Sequence, residues 1–439
     1  MTTARAAATA DTEFAAAARR LAARLASLAE PDPRGAPRWS GDDVDPARST
    51  EQQVVLSHDR LDDGLLTGRV GIAAALAAAA RLPAGRPEWS ALAARTAWSA
   101  VVDRLSEPRP SSGLGWCSGW LGIARGARLV AEWTGDDRLA AAARLLAGRA
   151  VDVLAGDPAR CPDYPDLLDG LAGHLGAVLA ADLDRAGEPA RRAAATGLLD
   201  RLLAQAVTDS RSGEVRWPMA GTRSSVIGLA HGGSGVTVAL AAADARDLSA
   251  TTGIDLSEVI DRTLRWEDGH FRAEVGGWPD LRAGSDVPGL AWCHGAPGVG
   301  VAAAYRARVG CDSGTEETYV RARAIVQQLG PPTATGPFDG TLCHGLAGLV
   351  ELHLAGAEAW PVVADEHLAD ARLLARHLTR AGRDGRPGWT CGVRGGRTPT
   401  VLTGLAGVAY TLVRCHDPAL APSLAHPGLP AAALAVAAG

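Results

Sequence analysis

Aromatic residues are scarce in this chain, with only 3 Phe and 4 Tyr beside 12 Trp in 439 residues. A core must therefore be built from small and aliphatic side chains, and a hydrophobic content of 47% is ample for one. An excess of positive charge is missing too. The formal net charge is −5 and no Arg-rich block occurs, which argues against nucleic acid as the main partner. Long apolar runs are absent, because charges or glycines break the Ala/Leu stretches well short of a membrane span. The N-terminus lacks the apolar core of an export signal: Asp11, Glu13 and scattered Arg interrupt it. Residues 1–40 read as a loose tail and an amphipathic helix, apart from a single domain over 41–439. Seven Cys is an odd count without a secretory signal, which argues against a disulfide framework. These absences describe a soluble, cytoplasmic protein.

Glycine, by contrast, is abundant at 52 residues, and its placement is regular. Seven Gly-x-x-Gly motifs begin at Gly68, Gly119, Gly170, Gly232, Gly295, Gly345 and Gly404. Their spacing of roughly 50 to 63 residues leaves room for two helices per repeat. Apolar runs such as Ile72–Leu76 and Val236–Leu240 follow the motifs and read as buried helices. Segments between motifs, for example 136–154 and 366–379, mix Arg and Asp with Leu and Ala at helical spacing, the pattern of outer helices with one wet face. Glycines at i and i+3 strip one helix face of side chains, so the start of each buried helix is expected to press closely on its neighbour.

Seven alternations of buried and amphipathic helices imply an all-α fold, an α/α toroid with an inner and an outer layer. The inner helices then run parallel and their N-termini meet at one mouth. Thr67, Ser118, Asp169, His231, His294, His344 and Thr403, each just before a first glycine, are expected to line it. Trp-bearing Gly/Pro-rich stretches, Val215–Pro218, Gly277–Pro279 and Gly388–Thr390, read as hairpins or loops on the same rim. Trp116, Trp120, Trp217, Trp278 and Trp292 could line a peptide groove there or simply pack.

Two of the motifs start as Cys–His–Gly: Cys293-His294-Gly295 and Cys343-His344-Gly345. Thiolate and imidazole hold zinc in tetrahedral sites, and three protein ligands leave a fourth position open for chemistry. With Trp292-Cys293-His294-Gly295-Ala296-Pro297-Gly298, Leu342-Cys343-His344-Gly345, Ala230-His231-Gly232 and Asp166-Leu167-Leu168-Asp169-Gly170, the chain resembles the lanthionine synthetase C family of zinc-dependent lanthipeptide cyclases. The likeness extends over about residues 45 to 415. It implies a helical toroid with Cys293, Cys343 and His344 as ligands of one Zn2+, and His231 with Asp166 as an acid/base pair. His294 falls where members carry Tyr or His beside the first ligand, and serves as a second acid or as a wall of the site. Spacing between Gly68, Gly119 and Gly170 leaves little room for the small β-rich insertion some members carry.

The resemblance implies addition of peptide Cys thiols to dehydroalanine or dehydrobutyrine, giving thioether rings. Its partners would be a dehydrated precursor peptide, a separate dehydratase and an exporter. Asp169 or Asp163 could replace Asp166 in orienting His231. Cys117, followed by Ser118, reads as structural, and Cys161, Cys311, Cys391 and Cys415 as spectators. Two rival functions remain: zinc-assisted addition of thiols to another electrophile, or a non-catalytic partner of modifying enzymes. The Cys and His residues on the rim speak against the second.

Overall fold

The computed structural model describes residues 2–44, 55–110, 113–222, 224–274, 276–282, 288–328, 339–380, 389, 391–392 and 398–430. The Gly388–Thr390 stretch lies outside them except for Trp389. Helix α1 (Thr2–Ser27) comes first. Helix pairs then follow the motifs: α2 (Arg69–Ala80) with α3 (Pro87–Leu105), α4 (Trp120–Thr134) with α5 (Asp137–Gly156), and α6 (Leu171–Ala180) with α7 (Glu188–Ala204). Next come α8 (Gly233–Asp244), the short α9 (Leu248–Thr252), and α10 (Leu256–Asp268), the outer partner of α8. Helices α11 (Ala296–Arg308) with α12 (Thr315–Gln328), and α13 (Leu346–Ala359) with α14 (Ala364–Arg380), complete the paired series before α15 (Leu405–His416). Strands are short and two-stranded: β1 (Glu30–Pro31) with β2 (Pro37–Arg38), β3 (Ser40–Val44) with β4 (Leu56–Arg60), and β5 (Val207–Thr208) with β6 (Val215–Arg216).

The all-α toroid expected from the motifs is the observed architecture. Even-sided burial of the apolar runs explains it: every residue from Arg69 to Ala79 in α2 and from Gly233 to Ala243 in α8 is buried. Outer helices bury one stripe only, as in α5, where Leu139, Ala143, Leu146, Ala150 and Leu154 recur at helical spacing. Among the described residues, no outer helix follows α15. Its outer partner is α1, which packs against α15, α14 and α2. Residues placed outside the ring by sequence thus supply its seventh outer helix, and Phe14, Leu21 and Leu25 are fully buried there.

A belt of hydrogen bonds, backbone to backbone in every link but one, closes the ring at the N-terminal ends of the inner helices. Leu66 N–H donates to Cys117 O at 2.9 Å, Ala230 to Cys293 at 3.1 Å, Cys293 to Cys343 at 3.1 Å, Cys343 to Leu402 at 2.9 Å, and Leu402 back to Leu66 at 2.9 Å. Between repeats two and four the register shifts by one residue: Trp116 Nε1 donates to Leu167 O, and Leu167 N–H donates to Ala230 O at 3.0 Å.

The glycines admit the expected close approach of the neighbouring repeat, as where a Cβ at Gly298 would stand 2.9 Å from Leu229 Cβ and one at Gly235 3.0 Å from Leu167 Cβ, and they serve a second purpose as well. A Cβ at the second glycine of each motif would overlap the carbonyl oxygen six residues earlier, at Leu65, Trp116, Leu167, Leu229, Trp292, Leu342 and Val401. The preceding loop therefore folds over the first turn of its own helix. There its carbonyls receive free helix N–H groups, as Gly113, Leu114 and Gly115 do for Trp120, Leu121 and Gly122.

At the C-terminal ends of the inner helices, residues 417–430 run back across the ring. Arg125 Nη2 donates to Ser423 O at 2.7 Å, Tyr410 Oη to Pro422 O at 2.8 Å, and Tyr305 Oη to Gly428 O at 2.9 Å. A cavity of about 820 Å³ opens beside this segment; Trp116 reaches it, and none of the candidate Cys, His and Asp residues of the mouth lines it.

Candidate functional site

The belt places three motif starts side by side, because Ala230, Cys293 and Cys343 are consecutive links in it. His231, His294 and His344 each follow one of these residues, and so share the mouth. Two glycines allow the close approach. Gly228 (φ +131°) lies where a Cβ would meet Cys293 O and His294 Cα at 2.7 Å, and Gly295 (φ +122°) lies directly on Gly289. Both φ values are left-handed, where only glycine rests without strain.

His231 Nδ1 is hydrogen-bonded to Asp166 Oδ2. Asp166 is itself held by Leu168 N–H at 2.6 Å and Asp169 N–H at 3.1 Å, both on Oδ1, so its second oxygen is fixed toward the next repeat. The two other candidate carboxylates are engaged elsewhere: Asp169 receives Ser118 Oγ at 3.1 Å, and Asp163 pairs with Arg201 at 2.8 Å. Burial opposes charge on the His231 imidazole, but the Asp166 carboxylate outweighs it and the pKa is raised. With Nδ1 on Asp166, Nε2 is the nitrogen left for a reacting group.

The His294 ring stacks on His231 with centroids 5.1 Å apart. His294 is 2% exposed, and burial together with nearby Arg282 and His231 pushes its pKa down to about 3. It is a neutral imidazole. Its Nδ1 is buried with no hydrogen-bond partner among the described residues.

The Cys293 and Cys343 side chains share a hydrogen bond, and the two thiols titrate as a pair. The bond from Cys343, then His344, Arg282 and His231, hold the Cys293 thiol down to about 7, while the same bond and burial push the Cys343 thiol well up. His344 Nε2 lies 2.8 Å from Asp339 Oδ2, which raises the imidazole pKa.

Asp339 and Arg282 belong to this site and escaped the sequence reading. Asp339 had a signal. It stands six residues before Gly345, as Asp62 stands before Gly68, and Asp62 bonds Thr67 Oγ1 at 2.9 Å just as Asp339 bonds His344. Arg282, on a rim loop and paired with Asp280 at 2.7 Å, follows no repeat position, so nothing in the spacing marks it. The five rim tryptophans are no more than 1% exposed and serve as packing residues, and of the five Trp116 alone reaches the cavity of about 820 Å³.

Among the described residues, no group of three His, Cys, Asp or Glu side chains is gathered to hold a metal as they stand. The donor set nonetheless fits zinc in kind. Two sulfurs lie together with the Cys293 thiol held down toward ionisation, and His344, with Nε2 on a carboxylate, has Nδ1 left over, as the carboxylate–histidine–metal arrangement requires.

The architecture is similar to that of nisin cyclase, with a TM-score of 0.54 and 17% identity over 81% of this chain and 89% of that one. No curated protein matches the chain. No helix among the described residues is long and apolar enough to cross a membrane. The model of the lanthionine synthetase C-like proteins matches residues 59–426, nearly the whole ring, and the chain belongs to that family.

Proposed function

We propose that this protein is a lanthipeptide cyclase that adds peptide Cys thiols to dehydroalanine or dehydrobutyrine. The observation that carries the reading is the shared mouth. The carboxylate-held His231 imidazole, stacked on neutral His294, opens beside the Cys293–Cys343 sulfur pair. Cys293, Cys343 and His344 would hold a zinc ion, with Asp339 orienting His344. When bound, zinc would lower the pKa of a substrate thiol, which for free cysteine is about 8.5.

The protein's own groups account for the rest. The substrate sulfur forms a bond to the β-carbon, the C=C π pair moves toward the carbonyl, and the α-carbon then needs a proton. His231 Nε2 gives it, with Asp166 holding the ring and stabilising its charged form. The proton released by the substrate thiol restores the imidazolium, so the addition consumes no co-reactant. A raised pKa suits this, because it keeps the donor form present closer to neutral pH. His294, neutral and stacked, limits where the His231 ring can lie. A precursor peptide processed by a separate dehydratase would supply the substrate.

Purified, zinc-loaded protein should be given a dehydrated peptide bearing free Cys, and the remaining thiols counted by alkylation and mass spectrometry. Loss of alkylatable thiols without change in peptide mass supports the reading. An unchanged thiol count with zinc bound overturns it.

A further inference from the structure

The inner helices begin on glycine caps, which offer no side chain to the free N–H groups of the first turn. Loop carbonyls fill the need elsewhere. At the third motif position, Leu121 N–H donates to Leu114 O and Ala406 N–H to Pro399 O, each at 3.2 Å. Helix α8 is built differently. Ser234 N–H donates to Glu267 Oε1 at 2.8 Å, and Ser234 Oγ to Glu267 Oε2 at 2.5 Å. Both oxygens of a carboxylate on the outer helix α10 thus grip the turn that begins directly after His231.

This contact is dry. Ser234 is fully buried and Glu267 is 2% exposed. It continues to a third helix: Arg306 of α11, also fully buried, donates Nη1 to Thr237 Oγ1 at 2.9 Å, and Thr237 Oγ1 donates to Ser234 O at 2.7 Å. The Arg306 charge acts on Glu267 across the gap between them. Helix α11 is the one that follows Cys293-His294-Gly295. Gly233 makes room for the network, since a Cβ there would stand 2.8 Å from Thr263 Cγ2 and 3.0 Å from Glu267 Oε1. Burying a carboxylate and a guanidinium is costly, and buried pairs also occur at Arg69–Asp63 and Arg414–Glu351. This carboxylate, however, holds both the N–H and the hydroxyl of Ser234 in the turn that follows the acid, beside the helix that follows the first sulfur.

We propose that Glu267 is a positioning residue: through Ser234 it fixes the first turn of α8 against α11, and so sets where His231 stands relative to Cys293. The inference rests on the acid role proposed for His231. Glu267 lies beneath the first turn and does not touch the mouth, so its effect must travel through the helix start.

The test compares full-length, zinc-loaded wild type with Glu267→Ala, Glu267→Gln and Ser234→Ala. Three quantities are read: kcat and KM on a dehydrated peptide, bound zinc, and the His231 imidazole resonances in 15N-histidine-labelled protein, assigned with His231→Ala. Glu267→Gln keeps an acceptor for Ser234 N–H and should stay close to wild type in all three. Glu267→Ala should shift the His231 resonances and lower kcat by about 10- to 100-fold, with KM and zinc little changed. Ser234→Ala should move both in the same direction by less. Wild-type kcat and unmoved His231 resonances in Glu267→Ala overturn the proposal. If Glu267→Ala does not fold, unmoved resonances and wild-type kcat in Ser234→Ala overturn it equally. A wild type without turnover would remove the cyclase reading alone, because the His231 resonances still report whether Glu267 positions that ring.

Discussion

In Cys293-His294-Gly295 the imidazole is turned inward, 2% exposed and stacked on His231, whereas the side chain of His344 in Cys343-His344-Gly345 is 39% exposed and bonded to Asp339. The backbones differ as well: Gly295 has φ +122° and Gly345 has φ −115°. The cause stands six residues upstream of each glycine. In the second copy Asp339 accepts Leu346 N–H on its carbonyl and Thr341 N–H on Oδ1, both at 2.8 Å, and has Oδ2 left for His344. In the first copy that position is Gly289, which accepts Ala296 N–H at 3.0 Å and has no carboxylate to offer. With Ala291 N–H folded back on His294 O at 3.2 Å, His294 is left to the interior. One tripeptide thus does two jobs, and the loop before it selects which.

The sharpest way to break this comparison is to remove each histidine in turn. His344→Ala should abolish turnover and reduce zinc affinity by more than the roughly 100-fold that loss of a ligand's partner can cost. His294→Ala should leave zinc bound. Metal analysis after dialysis against a chelator separates the two, and equal zinc loss in both variants would make the copies equivalent.

His231 supplies the second contrast, since its imidazole is carboxylate-held like that of His344 but belongs to no Cys-containing motif. His231→Ala should lower kcat by about 10²- to 10⁴-fold with zinc retained. Asp166→Asn should lower it less, and should move the alkaline limb of the kcat–pH profile to lower pH, because the protonated donor is lost earlier once the raised imidazole pKa relaxes. Zinc loss in His231→Ala would instead place this residue among the ligands.

A smaller effect is expected at Asp339. Asp339→Asn keeps the loop acceptors but weakens the hold on His344, and should cost about 10- to 100-fold in zinc affinity. Competition with a chromogenic chelator measures it. The equivalent change at Asp62, which serves Thr67, should leave zinc affinity unaltered.

Much of this arrangement was legible in the chain because it is periodic. The Gly-x-x-Gly spacing led to parallel inner helices with their starts at one mouth, and hence to His231, His294 and His344 standing together. What escaped has no period. Helix α1 completes the outer layer of α15 from the far end of the chain, and amphipathicity alone cannot name the partner of an apolar stripe. Glu267 reaches Ser234 across the two layers, a contact that repeat spacing does not encode. The glycines were legible as points where the neighbouring repeat comes close, but the preceding loop approaches them too, because free helix N–H groups draw its carbonyls in. Asp339 was legible in principle through Asp62, once the motif is read six residues further upstream.

The two sulfurs offer the finest test of non-equivalence. In metal-free protein the hydrogen bond from Cys343, followed by His344 and Arg282, favours the thiolate at Cys293 and leaves the Cys343 thiol protonated. Alkylation with iodoacetamide across pH should show one cysteine reacting with a midpoint near 7, against about 8.5 for a free thiol. Peptide mapping should identify it as Cys293. A lowered pKa means the reactive form is present above that midpoint and lost below it, so labelling at neutral pH should already be selective. Removing the donor by Cys343→Ala should move the Cys293 midpoint upward, since its first source of stabilisation is gone. Zinc should protect both residues together. If Cys343 were labelled first, or both reacted with one midpoint, the sulfurs would be interchangeable and the asymmetry would belong to the histidines alone.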